Sequence, residues 1–272
     1  AASAAWRAVS AGAGGWWASS LAHPNVWRLA ITGGPCAGKT SGMARLRKEL
    51  RARSGGRYLV FVLPEVATIL FNLGVMNHGT FDGFEAAEYR TFAIQASFLQ
   101  VALEEIWAQG ADAAVKATPN TERAVLLCDR DAMDIKAFSR PADPSQTVAW
   151  QEVVRGFGEL VGRPGLTQAD IVRRYQLGLL LLQSFAVVRG KLNAKGYNTH
   201  CIGQNSSNSV RRETAEAAKR NDEIVRRAYS QAYPAARICF VSNSGEGMAA
   251  KMDAAAECVW QQTQRLESAS AD

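Results

Sequence analysis

The octapeptide Gly33-Gly34-Pro35-Cys36-Ala37-Gly38-Lys39-Thr40 constrains this chain more than any other stretch. It fits the pattern GxxxxGK[ST] and lies between a short apolar run, Val26 to Thr32, and a helical pattern from Ser41 to Arg53 with Met43, Leu46 and Leu50 at helical spacing. In that setting the glycines let the backbone curl so that successive N–H groups point inward, and the helix that follows offers the positive end of its dipole. Such a loop is built to hold a polyphosphate. Gly33, Gly34, Pro35, Cys36, Ala37 and Gly38 are the expected cradle for ATP or GTP. Lys39 is expected at the β- and γ-phosphates, and the Thr40 hydroxyl on Mg²⁺.

Downstream, short apolar runs alternate with longer helical patterns, a rhythm that predicts a parallel sheet flanked by helices. Strands are expected at Val26 to Thr32, Tyr58 to Leu63, Ala124 to Cys128, Tyr175 to Leu182 and Arg237 to Ser242. Helices are expected at Val66 to Leu73, at Phe84 to Trp107 with Phe92, Leu99, Leu103 and Ile106 along one side, at Asn208 to Tyr229, and at Gly247 to Gln264. Prolines and glycines mark residues 140–172 as a less regular insertion. Residues 1–25 are rich in Ala, Gly and Ser, with Arg7 their one charged residue, and read as a leader or linker before a domain spanning 26–272.

In an open α/β sheet, ligands sit beyond the carboxyl ends of the strands. Asp129, directly after Ala124 to Cys128, is therefore the candidate second Mg²⁺ ligand, with Arg130 beside it for phosphate or for orienting a carboxylate. Glu65 ends the strand Tyr58 to Leu63 one residue after Pro64 and faces the same crevice. It is a candidate proton acceptor or holder of a magnesium-bound water, against the plainer alternative of a helix-start carboxylate. Arg211 and Arg212 open a charged helical stretch in a lid expected over about 193–232, where guanidinium groups could close over a γ-phosphate. Asn243, after the fifth strand, is a candidate for the base pocket.

Absences narrow the class. No NKxD or TKxD follows the later strands, no LSGGQ is present, and the third strand ends in Asp-Arg rather than Asp-Glu. Ras-like switches, transporter ATPases and ring-forming motors are thereby disfavoured. The five cysteines are widely spaced without a CxxC pair, and the three histidines are isolated from one another. A metal cluster is disfavoured, no disulfide scaffold is required, and the setting reads as reducing and intracellular, cytoplasmic or organellar. A net charge of +6 favours anionic partners without pointing to nucleic acid. The longest apolar run, Leu177 to Val188, is too short to span a bilayer.

Four ordered segments carry a resemblance: Ile31 to Thr40, Leu63-Pro64-Glu65-Val66-Ala67, Cys128-Asp129-Arg130 with Asp134 and Phe138, and Asn208 to Thr214. Together they resemble the AAA-type ATPase/kinase-like domain of TRPL translocation defect proteins. More distantly, they are similar to the ribosylnicotinamide kinase part of bacterial NAD-biosynthesis regulators. The resemblance implies a P-loop NTPase fold, a three-layer α/β/α sandwich with a five-stranded, mainly parallel sheet in the kinase order 2-3-1-4-5. The resemblance leaves catalysis open, and the preferred expectation is nucleotide hydrolysis or phosphoryl transfer to a small-molecule acceptor. The alternative is a nucleotide-dependent module that binds a protein or an acidic lipid. Asp131 stands where the family tends to have Gly, and it is expected to add negative charge near the metal.

Overall fold

The computed structural model describes residues 23–33, 39–72, 85–138, 149–181, 215–241 and 248–271. In chain order these form β1 (Val26–Thr32), α1 (Lys39–Arg53), β2 (Tyr58–Leu63), α2 (Val66–Asn72), α3 (Ala86–Ala117), β3 (Arg123–Asp129) and α4 (Ala132–Phe138). They continue with α5 (Trp150–Leu160), α6 (Gln168–Val172), β4 (Leu177–Leu181), α7 (Ala215–Ala232), a 3₁₀ turn at Ala235–Arg237, β5 (Ile238–Val241) and α8 (Met248–Ala271). The strands lie in the order β2-β3-β1-β4-β5, and each neighbouring pair runs parallel. The expected α/β architecture with a parallel sheet is present.

All seven residues of β1 are buried, as a central strand covered on both faces requires. The two-residue period of a strand then decides which helix each side chain meets. Trp27, Leu29 and Ile31, with Val125 and Leu127 of β3, pack against Met43, Leu46 and Leu50 of α1 and Met252, Ala255 and Val259 of α8. Val26 and Ala30, with Ala124, Leu126 and Cys128, pack instead against α3, α5 and α7 through residues such as Ala108, Phe157 and Tyr229. The result is three layers. Because the strands are parallel, the carboxyl ends of β1, β2 and β3 share one edge of the sheet, with Ile31 paired to Asp129 and Leu63 to Cys128.

Several element boundaries and contacts differ from expectation. The expected helix over 84–107 continues to Ala117, and Ile106, expected on its apolar side, is 54% exposed. Its buried side runs instead through Gln100, Glu104 and Glu105. Those carboxylates can be buried because the opposite side of the interface supplies cations: Arg28 reaches Glu105 at 3.2 Å and Arg174 reaches Glu104 at 3.1 Å. The closing helix extends to Ala271 rather than Gln264. Cys239 on β5 and Cys258 on α8 form a disulfide, which the expectation of a reducing setting with no disulfide scaffold did not anticipate. Their spacing carried no signal, because the sheet, not the sequence interval, brings them together. Within residues 140–172, α5 contributes Val153 and Phe157 to the core. Among the described residues no helix is long and apolar enough to cross a membrane.

Candidate functional site

Strand alternation places the chemistry. Asp129 follows Val125 and Leu127 on the side of β3 that faces α1, and Lys39 is the first residue of α1. Lys39 is buried, and its ammonium donates to the Gly33 carbonyl at 3.1 Å. Gly33 itself has φ of 141°, a conformation that side-chain-bearing residues avoid. The carbonyl that holds the lysine therefore depends on glycine at this position. Asp129 is 8% exposed, and its Oδ1 has no hydrogen-bond partner among the described residues. Burial raises its carboxyl to about 6; Glu65 pushes in the same direction, while the positive charges of Lys39 and Arg130 oppose the rise. A buried, unsatisfied carboxylate oxygen costs about 1–3 kcal/mol or more. Such a group is well suited to an incoming cation.

Arg130 occupies the left-handed region at φ 70°, costing about 1–3 kcal/mol for a residue with a side chain. The turn is held from several sides. Its amide donates to the Ile31 carbonyl at 2.9 Å, and its own carbonyl lies 3.4 Å from the Gln100 amide. Its guanidinium donates to Glu65 Oε1, lies 3.4 Å from the Gly33 carbonyl and is 3.5 Å from Asp134. Asp134 in turn accepts the Thr32 hydroxyl at 2.5 Å. For Glu65, burial alone would raise the carboxyl, but the charges of Arg130 and Lys39, with the hydroxyl of Thr68, bring it down to about 2. Lys39, Glu65, Asp129 and Arg130 thus meet at one edge of the sheet, where the sequence placed them.

Gly34 to Gly38, Arg211, Arg212 and Asn243 lie outside the described residues. Thr40 lies in the first turn of α1, and its side chain is outside the description as well. Among the described residues no three His, Cys, Asp or Glu side chains converge as a metal-binding group. A cation here would draw most of its ligands from phosphate and water. The donor chemistry fits Mg²⁺, which is commonly bound by one or two carboxylates together with substrate phosphates.

Two features escaped the sequence reading. Asp131 is buried and accepts N–H bonds from Met133 at 2.8 Å and Asp134 at 3.1 Å, so its carboxylate caps α4 rather than standing as the surplus charge expected near the metal. Burial and the nearby Asp134 raise its carboxyl to about 7. The second feature is the tie of Thr32 and Asp134 to the loop. Asp134 belonged to a recognisable motif segment, but only the packing of α4 beside β1 reveals its partner.

The model of a family described as an AAA domain matches residues 28–246. The chain belongs to that AAA domain family. No curated protein matches. Among solved structures, NadR protein in complex with NR superposes with a TM-score of 0.51 at 12% identity, covering 89% of this chain and 53% of that one. NadR protein in complex with NAD and AMP-PNP gives 0.49 at 12% identity, covering 89% and 51%. Thymidylate kinase from Candida albicans gives 0.45 at 13% identity, covering 89% and 92%. The chain spans about half the length of the NadR chains it matches. The likeness to NadR protein in complex with NR is one of fold alone.

Proposed function

We propose that this domain binds a magnesium nucleotide, ATP or GTP, and uses it for hydrolysis or for phosphoryl transfer to a small-molecule acceptor. The observation that carries the reading is the convergence of a buried lysine ammonium, at the start of the helix after a glycine-rich segment, with a buried carboxylate oxygen that has no partner among the described residues. Lys39 would exchange the Gly33 carbonyl for β- and γ-phosphate oxygens, while loop amides of residues 33–38 hold the remaining charge. Asp129 and Thr40 would hold Mg²⁺, which neutralises the charge developing on the transferred phosphoryl group. With its carboxyl near 2, Glu65 is a poor proton acceptor at neutral pH. Its proposed role is to aim Arg130 at phosphate. Arg211 and Arg212 are proposed to supply further positive charge from the segment preceding α7.

The test is Lys39→Ala. Equilibrium nucleotide binding is expected to weaken by roughly a hundredfold or more, a loss comparable to removing a buried charge-stabilising donor, while circular dichroism stays native. Unchanged ATP and GTP affinity in the folded variant contradicts the reading.

One observation favours a second reading, a nucleotide-controlled binding module. Arg47, Lys48 and Arg51 line a shallow groove of about 570 Å³ on the exposed side of α1. Among the described residues none of the three side chains has an ionic or hydrogen-bonding partner. Neighbouring Arg45 and Arg53, by contrast, pair with Asp253 and Glu257. An acidic protein or lipid partner would suit that face. Negligible turnover, together with partner affinity that changes with bound nucleotide, would favour this reading.

A further inference from the structure

Asp131 takes no part in the chemistry above, yet it is among the most heavily hydrogen-bonded carboxylates of the fold. Its Oδ1 accepts the Tyr229 hydroxyl and the two α4 amides, and its Oδ2 accepts the Tyr233 hydroxyl. The two phenol rings stack with centroids 5.2 Å apart and planes 13° from parallel. Tyr229 also lies 3.4 Å from Asp134 Oδ2. Tyr175, edge-on to Tyr233 at 6.5 Å, donates to Glu104 at 2.6 Å and accepts the Ala132 amide at 3.3 Å.

Apolar packing would hold α7 to the sheet at least as well as a buried carboxylate, because desolvating charge offsets much of the gain from pairing it. The clamp must therefore be judged by what it fixes. Asp131 immediately follows the strained Arg130 and lies two residues after Asp129. It caps the helix whose Asp134 holds Thr32 at the entrance to the phosphate loop. Tyr229 lies in α7, the helix that follows the segment containing Arg211 and Arg212 in the chain. One carboxylate therefore joins the Asp129-Arg130 turn, the start of α4 and the far end of α7.

We propose that Asp131, Tyr229 and Tyr233 are positioning residues that fasten α7 to the Asp129-Arg130 turn, so that the placement of α7 sets the geometry at which Asp129 meets the metal. This rests on the magnesium-nucleotide reading. Arg130 is also held by Glu65 and the Gly33 carbonyl, so loss of the clamp is felt mainly at Asp129, in the magnesium-dependent part of affinity, and spares the contacts made by Lys39.

The experiment compares the full chain with Tyr229→Phe/Tyr233→Phe, which keeps both rings and removes only the hydroxyls, and with Val225→Ala. Val225 is buried on the same helix and has no polar contact to the turn. ATP and GTP affinities are measured with and without Mg²⁺, and amide exchange is followed across residues 129–134. The double Tyr variant is expected to keep its magnesium-free affinity within about twofold and to lose about tenfold of the gain given by Mg²⁺. Its Met133 and Asp134 amides are expected to exchange at least tenfold faster. Val225→Ala is expected to melt earlier without either effect. An equal loss of the magnesium gain in Val225→Ala, or an unchanged gain with unchanged exchange in the double Tyr variant, overturns the proposal. If the unaltered chain binds no nucleotide, the functional reading fails by itself, and the exchange measurement alone decides whether the clamp holds the turn.

Discussion

Two clusters of buried charge lie on opposite faces of the same sheet, and they are built to different rules. On the α3 face, both oxygens of Glu104 and of Glu105 are satisfied: Glu104 by Gln100, Tyr175 and Arg174, and Glu105 by His23 and Arg28. At the carboxyl edge, facing α1, Asp129 keeps an oxygen that no described residue satisfies, beside a buried lysine that donates to the Gly33 carbonyl and an arginine in a strained turn. In the first cluster every carboxylate oxygen is satisfied, although among the described residues Arg28 Nε and Arg174 Nη1 make no hydrogen bond. The second resembles an interior with one component still to arrive, and that difference marks it as the site.

The largest effect should come from breaking the first cluster. Glu104→Ala removes the carboxylate that Arg174 reaches with both side chains fully buried, and should cost about 3–5 kcal/mol in denaturant unfolding. Glu65→Gln removes the carboxylate that Arg130 donates to and should cost about 1.5–3 kcal/mol, with weaker nucleotide binding in titration.

Asp129→Asn should do the reverse and stabilise the ligand-free chain, by about 1–2 kcal/mol at pH 7. The sign follows from its carboxyl, raised from 3.8 to about 6 by burial. The folded chain holds that proton more tightly than the unfolded one, so the stability it contributes is complete below 3.8 and is lost as pH rises through 6. Urea melts between pH 4 and 7 should therefore show a falling slope that the Asn variant flattens. An unaltered slope would mean that Asp129 is satisfied in solution and that the two clusters do not differ. Smallest of all, Glu257→Gln breaks an exposed pair with Arg53 and should leave the melting temperature unchanged.

Much of the site edge was legible because it depends on local rules. The strand before the glycine-rich segment, the helix after it, and the strand ends at Asp129 and Glu65 are set by spacing and period. What escaped depends on partners distant in sequence. Ile106 looked like a core residue from its spacing with Phe92, Leu99 and Leu103, but Arg28 and Arg174 draw the neighbouring Glu104 and Glu105 inward and turn Ile106 out. Asp131 read as surplus charge because its donors, Tyr229 and Tyr233, lie about a hundred residues away. Cys239 and Cys258 meet only because α8 returns beside β5.

The most direct test is a titration of ATP and of GTP, each with and without Mg²⁺, against the unaltered chain and Asp129→Asn. The account predicts that Mg²⁺ tightens binding of at least one nucleotide by tenfold or more in the unaltered chain, and that Asp129→Asn abolishes this gain while retaining magnesium-free binding. Equal magnesium dependence in the two proteins, or no nucleotide binding by the unaltered chain, would contradict it.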